Sequence, residues 1–139
     1  MNELAIYLAL HGVAVLFVSV FGGVLLHKAI LKDKNEAGWH LLHAGGSARG
    51  ILLIALAAII HLPALPFWQL STLAWLIIFF SWTSTLAMLL VAITGERGFG
   101  WFGSNTNKFI YLLYVLGAIA IFPAFLLLMI GLINALYSL

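Results

Sequence analysis

The chain has no cysteine and very few charged residues. Of its 139 residues, 6 are Lys or Arg and 4 are Asp or Glu, so that only 7% are charged. In a soluble domain about a quarter of the residues are charged, so this composition excludes a soluble domain. The lack of cysteine excludes disulfide bonds, iron–sulfur clusters and thiolate metal ligands. The net charge of +2 is too small to indicate a nucleic-acid partner.

Most residues of the chain are apolar. They make up 65% of the chain, and its mean hydropathy is +1.18. A helix needs about 20 apolar residues to cross the hydrocarbon of a bilayer. We therefore predict an all-α, integral membrane bundle, a single domain over residues 1–139, with transmembrane helices at about 4–26, 40–62, 67–94 and 108–137. The first span lacks the basic start and cleavage site of a signal peptide, so we expect it to remain as an anchor.

The connections between the spans differ in charge. Lys28, Lys32 and Lys34 lie in the segment 27–39, and Arg97 and Lys108 lie in the segment 95–108. The connection 62–66 and both ends of the chain carry no Lys or Arg. By the positive-inside rule we expect both basic loops to be cytoplasmic and both termini to face the other side, as in a bacterial-type inner membrane.

Two connections carry signals for helix ends. Pro63 and Pro66 should end the second span and begin the third, because proline lacks an amide donor and clashes with a preceding helical turn. Ser104 and Asn105 close a glycine-rich segment, and their side chains can accept from the first amides of the fourth helix.

The segment 38–50, GWHLLHAGGSARG, gathers most of the polar chemistry of the chain. On a helix, His40, His43 and Ser47 form one stripe, with Gly46 and Gly50 four residues apart beside it. Small residues at this spacing allow another helix to approach closely. The same bare surface could also accept a flat cofactor, and both interpretations stay open at this point.

Histidine and arginine decide what such a cofactor could be. With no cysteine, imidazole is the strong ligand for haem or a transition metal, apart from methionine. Arg49 lies roughly 9 Å deeper than His43 at 1.5 Å per residue. A buried arginine needs a partner, and the acidic residues all lie near predicted helix ends. A carboxylate of the cofactor, or another anionic or oxygen-bearing ligand, is therefore an alternative to an ion pair with Glu3, Asp33, Glu36 or Glu96.

The remaining histidines lie at different depths. His11 and His61 belong to the non-cytoplasmic half, whereas His27 lies near the same face as His40 and His43. Two ligands of one iron must have nitrogens about 4 Å apart, which disfavours His11 with His43 in one subunit. A shared site of His27 and His43 stays open, and we expect His61 only to cap the hairpin.

Several short motifs resemble the styrene oxide isomerase family in order and spacing. They are HG at 11–12, FG at 21–22, GW at 38–39, HAG at 43–45, Gly50, RG at 97–98 and FGSN at 102–105. The resemblance implies a homotrimer of four-helix subunits with haem b between subunits, held by one histidine that corresponds to His43. It also implies that the open face of the iron acts as a Lewis acid, which isomerises an epoxide to an aldehyde.

The chain departs from the family in its second and third helices. The family's pocket includes an asparagine, an aspartate and a tyrosine; Arg49 stands at the asparagine position, and residues 67–94 contain no Tyr, Asp, Asn or His. We predict His43 as the iron ligand, with His40 as its rival. The predicted cofactor contacts are His43, His40, Gly46, Ser47, Gly50 and Arg49, and Arg49 is also the candidate catalytic residue.

Three functions remain open from the sequence. The first is an epoxide isomerase acting on a small apolar ligand. The second is a membrane haem protein that binds, senses or relays electrons without turnover. The third is a helical scaffold that only packs against lipid and other copies of itself. An absorption spectrum of the purified protein separates the third from the other two.

The charge distribution makes a topological prediction. A reporter fused after Leu139 should lie outside the cytoplasm, because all the basic connections are placed inside. Paired alkaline phosphatase and fluorescent protein fusions measure this, and a cytoplasmic fusion would overturn the orientation.

Overall fold

Four long helices account for nearly all of the chain. The computed structural model describes residues 2–32 and 34–138, which form α1 (Asn2–Leu31), α2 (Glu36–Ile59), α3 (Phe67–Thr94) and α4 (Asn105–Tyr137). All four are long and apolar enough to cross a bilayer, and the described residues contain no strand. The prediction of an all-α, multi-pass membrane protein is therefore confirmed.

The helices differ from the predicted spans mainly at their ends. α1 continues to Leu31 and α2 begins at Glu36, so the predicted loop 27–39 shortens to a few residues. Hydropathy marks the part of a helix that lies in hydrocarbon, but the helix can continue into the polar interface. Lys28 in the last turn of α1 complements the helix dipole and suits this extension. Met1, Asp33 and Leu139 lie outside the described residues.

Asn35 joins the beginning of α2 to the end of α3. Its Nδ2 donates to the carbonyls of Val91 at 3.1 Å and Ala92 at 2.9 Å, and its Oδ1 accepts from the amide of Gly38 at 3.4 Å. A Cβ atom on Gly38 would lie 2.8 Å from the Cα of Ala92, so only glycine allows this contact. The cap thus sets the position of the 38–50 segment against α3.

The other helix ends confirm the signals at the prolines and at Ser104, whereas Asn105 is the first residue of α4 and makes no capping hydrogen bond among the described residues. Pro66 precedes α3, and its carbonyl accepts from the amides of Gln69 and Leu70 at 2.9 and 3.2 Å. α2 ends at Ile59, a few residues earlier than predicted, and residues 60–66 form the turn. Ser104 caps α4, where its hydroxyl accepts from the amide of Asn107 at 3.0 Å.

The helices do not form a closed bundle. α1 pairs most extensively with α2, α3 packs against both, and α4 packs on the other side of α3. The hairpin also reaches α4, since the amide of Ala64 donates to the carbonyl of Gly131 at 2.9 Å. Over the described ranges 2–32 and 34–138, the backbone of α4 does not come close to that of α1 or α2. This leaves a groove between α2 and α4 above α3.

Glycines bring α1 and α2 together. A Cβ atom on Gly46 would collide with the Oγ of Ser19, and one on Gly50 would lie 2.8 Å from the carbonyl oxygen of Gly12. Both glycines are buried. The close helix approach that the spacing of Gly46 and Gly50 indicated is therefore present, between two helices of one chain.

This contact predicts the effect of adding a side chain. Gly46→Val should lower the free energy of unfolding by about 1–3 kcal/mol, because the added methyl groups must displace Ser19. Thermal unfolding in mild detergent measures the change. Ala55→Val is the matched control, since it adds the same residue to an exposed position of α2. Equal melting temperatures for the two variants would contradict the contact.

Candidate functional site

His43 lies on α2 where that helix meets α1. Its Nδ1 is 2.9 Å from the backbone carbonyl oxygen of Ser19, and its side chain is partly buried. A carbonyl oxygen only accepts hydrogen bonds, so this contact requires the proton on Nδ1. The neutral ring then keeps its lone pair on Nε2, which is the nitrogen free to bind a metal.

Two residues of α1, Ser19 and Gly23, surround this imidazole. The hydroxyl of Ser19 donates to the carbonyl of Val15 at 2.8 Å, so it turns back along its own helix. A Cβ atom on Gly23 would lie 2.8 Å from the Nδ1 of His43, and the missing side chain leaves room for the ring. Two residues of α1 therefore hold His43 in one orientation, as outer-shell carbonyls do for metal-bound histidines.

The other ring nitrogen of His43 reaches the surface of the helix pair. Over the described residues, Nε2 makes no hydrogen bond within the chain, and it is not among the enclosed polar atoms. Ala44, Ala48 and Ile51 on the outer face of α2 are exposed. The lone pair is thus available to a ligand that approaches from outside the subunit.

His40 and Ser47 share that outer side of α2. His40 is exposed and lines a surface recess of about 550 Å³ together with Leu26, Ile30 and Glu36. Ser47 is half-buried, one turn beyond His43 on the predicted stripe. The structure therefore keeps the stripe of His40, His43 and Ser47, but only His43 is oriented by a hydrogen bond among the described residues.

Gly46 and Gly50 face a different direction from that stripe. The space in front of them is filled by Ser19 and Leu16 of α1. They form the contact between α1 and α2, whereas the prediction placed a cofactor or a second subunit against them. We therefore do not include them in the proposed cofactor site.

Arg49 points toward α3. Its Nη1 donates to the carbonyl of Gly45 at 2.7 Å and lies 3.7 Å from the Sδ of Met88. The guanidinium carbon lies 5.2 Å from the centre of the Phe80 ring, a cation–π contact. Its Nε is enclosed and has no partner in the described part of the chain.

His43 and Arg49 therefore occupy separate sides of α2. Six residues correspond to a rotation of about 120° around a helix and a rise of about 9 Å. His43 contacts α1, whereas Arg49 contacts α3. The two side chains of one chain do not converge on a single pocket, although the sequence placed both in one cofactor site.

The other histidines have different surroundings. The Nδ1 of His11 accepts from the indole Nε1 of Trp82 at 3.0 Å, inside an aromatic cluster with Tyr7 and Trp75. This bond gives His11 the opposite tautomer from His43, with the proton on Nε2. His27 and His61 are exposed.

The sequence did not indicate which residues surround His43 and Arg49. Ser19 acts through its backbone carbonyl, which no side-chain pattern reveals. Met88 and Phe80 look like ordinary apolar residues of α3. Tyr114 on α4 lines a cleft together with Gly38 and Leu41 of α2; a phenol in a 33-residue apolar helix was the available signal.

Comparison with known proteins agrees with the resemblance. The sequence model of the family described as styrene oxide isomerase matches residues 4–133, nearly the whole chain. No curated protein matches the chain. Within residues 2–32 and 34–138, no group of three or more His, Asp or Glu side chains is placed to hold a metal ion. A haem needs only one axial side chain, and His43 presents one.

Proposed function

The chain belongs to the styrene oxide isomerase family, and we propose that it binds haem b through Nε2 of His43 and isomerises epoxides to aldehydes in the membrane. The observation that carries the proposal is the hydrogen bond from Nδ1 of His43 to the carbonyl of Ser19. It selects the tautomer and holds the ring, which are the two requirements for a pre-organised axial ligand.

The donor set of the chain fits a haem with one protein ligand. There is no cysteine, and the described histidines other than His43 and His11 make no orienting hydrogen bond. His11 is held in the tautomer with its proton on Nε2, which removes that lone pair. His40 lies in an open recess, and no residue in the described part of the chain orients its ring with a hydrogen bond. His43 is therefore the favoured ligand.

The chain also supplies a dry environment for the reaction. Bound at His43, a haem with one open face would supply a Lewis acid that polarises an epoxide. Conversion of an epoxide to an aldehyde opens the ring and shifts a hydride to the neighbouring carbon, with no net oxidation. The exposed residues of α2 that follow His43, namely Ala44, Ala48 and Ile51, are apolar, whereas the exposed His40 lies one turn before it. In the membrane this apolar surface would limit the access of water, which would otherwise hydrolyse the activated epoxide.

The outward direction of His43 supports an oligomer. Haem is a large apolar molecule, and the outer face of one helix covers only one side of it. A second subunit against this face would bury the macrocycle. We therefore propose the homotrimer that the family resemblance implies, with the subunit contact along the His40, His43 and Ser47 stripe. Arg49 faces α3 and is not proposed as a contact of the haem that the same chain holds.

The ligand assignment predicts the effect of two matched substitutions. His43→Ala should abolish the haem absorption band of the purified protein and the formation of aldehyde from styrene oxide. His40→Ala removes an imidazole from the same stripe and should keep most of the band, because His40 has no orienting partner. Absorption spectra at equal protein concentration, with size-exclusion profiles to confirm folding, measure both effects.

Two results would contradict parts of this proposal. An unchanged haem spectrum in His43→Ala would mean that another residue binds the iron. A six-coordinate, low-spin spectrum of the wild type that does not respond to added ligands would contradict the open-faced isomerase. Haem binding would then stand, and the non-catalytic haem protein would be the better description.

The oligomer makes a separate prediction. Native mass spectrometry of the protein released from mild detergent should give the mass of three chains with haem retained. Ala44→Trp on the exposed face of α2 should lower the trimer fraction, whereas Ile93→Trp on an exposed face of α3 should not. A monomer that keeps its haem would contradict the subunit contact.

A further inference from the structure

The groove between α2 and α4 contains a cleft that the proposed haem site does not use. It has a volume of about 290 Å³ and opens beside the segment that joins α3 to α4. Leu41, Val91 and Phe99 supply apolar walls, and Arg97 and Tyr114 supply polar groups. Such a mixture of apolar walls and a few polar groups is typical of sites for small organic ligands.

Arg49 does not line this cleft, but its side chain extends along α2 toward it. Helical side chains lean toward the N-terminus of their helix, which is the direction of the cleft in α2. The bond from Nη1 of Arg49 to the carbonyl of Gly45 shows this direction, since Gly45 lies one turn beyond Leu41. Nη1 of Arg49 also lies 3.7 Å from the Sδ of Met88, three residues before the cleft residue Val91 on α3. The guanidinium thus lies about one helical turn from the cleft walls at Leu41 and Val91.

The charge of Arg49 lacks a counter-ion in the described part of the chain. Its partners are a carbonyl oxygen, a thioether sulfur and an aromatic ring, all of them uncharged. Its enclosed Nε has no hydrogen-bond partner among the residues that the structure describes. A cation at this depth of a membrane protein is costly unless an anion or another polar ligand accompanies it.

We propose that the α2–α4 cleft binds an organic monocarboxylate, with the carboxylate directed at Arg49 and the hydrocarbon body against Leu41, Val91 and Phe99. A guanidinium pairs with a planar carboxylate through two parallel hydrogen bonds, and burial strengthens the pair. Arg97 at the mouth attracts the anion from the aqueous side.

This inference goes beyond the proposed isomerase, whose substrate is a neutral epoxide. A carboxylate could come from a free organic acid or from a propionate of a haem held by a neighbouring subunit. The chemistry at Arg49 is the same for both sources. The experiment therefore includes protein with and without haem.

The test compares an anion with its neutral analogue. Purified protein in nanodiscs of neutral phosphatidylcholine is titrated with octanoate and with octanol, and binding is measured by equilibrium dialysis against empty nanodiscs. In the haem-free form, wild type should bind octanoate at least about tenfold more tightly than octanol, since a charge-assisted hydrogen bond is involved. Equal binding of the two probes would overturn the proposal.

Substitutions locate the site. Arg49→Gln should reduce octanoate affinity about tenfold or more and leave octanol unchanged, whereas Arg49→Lys should retain part of the preference because it keeps the charge. Arg97→Gln should cause a smaller loss, because that cation is exposed and screened. Lys32→Gln, which removes an exposed cation outside the cleft, is the control and should have no effect.

The source of the carboxylate follows from the haem-containing and haem-free forms. If haem-loaded wild type binds octanoate as well as His43→Ala without haem, the site serves a free acid. If loading with haem displaces octanoate, the site serves a propionate.

Unchanged octanoate affinity in Arg49→Gln would overturn the proposal in either form. Because the haem spectrum is recorded separately, failure of haem binding at His43 is distinguishable from failure of the carboxylate site. If Arg49→Gln does not fold, the Arg97→Gln titration and the probe comparison on wild type still decide the outcome.

Discussion

The close contact between α1 and α2 is the constraint on which the candidate haem site depends. Gly46 and Gly50 let the helices approach until their backbones and small side chains touch. Only at this separation does the carbonyl of Ser19 come within hydrogen-bonding distance of the His43 ring. The glycines thus act on the site indirectly, since they bring up the helix that orients the ligand. A bilayer gives little hydrophobic driving force for helix association, so such close packing is the available means.

α2 contributes side chains to two different environments, because polar residues at different positions along a helix point in different directions. His43 faces α1 and the outer surface, whereas Arg49 faces α3 and the groove toward α4. Asn35 sets the position of both, because its side chain fixes the start of α2 against the end of α3. One helix of 24 residues therefore presents an oriented imidazole on one side and a guanidinium on the other.

The open arrangement of the helices explains where ligands can enter. α4 packs on α3 and leaves a groove beside α2, so that the guanidinium of Arg49 lies between helices rather than in lipid. The outer face of α2, in contrast, carries apolar residues together with His40 and Ser47 around His43. The first environment suits a charged group and the second suits a flat apolar cofactor and an epoxide that must be kept from water.

Composition and hydropathy determined the membrane class and the four helices. Single residues, Pro66 and Ser104, determined helix ends, because a helix end depends on local sequence. The motifs also identified the family, and they singled out His43. Tertiary structure alone decided the tautomer of His43, because its partner is a backbone carbonyl that any residue could supply. It also decided that Gly46 and Gly50 face α1, and that Arg49 lies apart from His43. Periodicity shows which residues share a helix face, but only the packing of neighbouring helices shows what each face contacts.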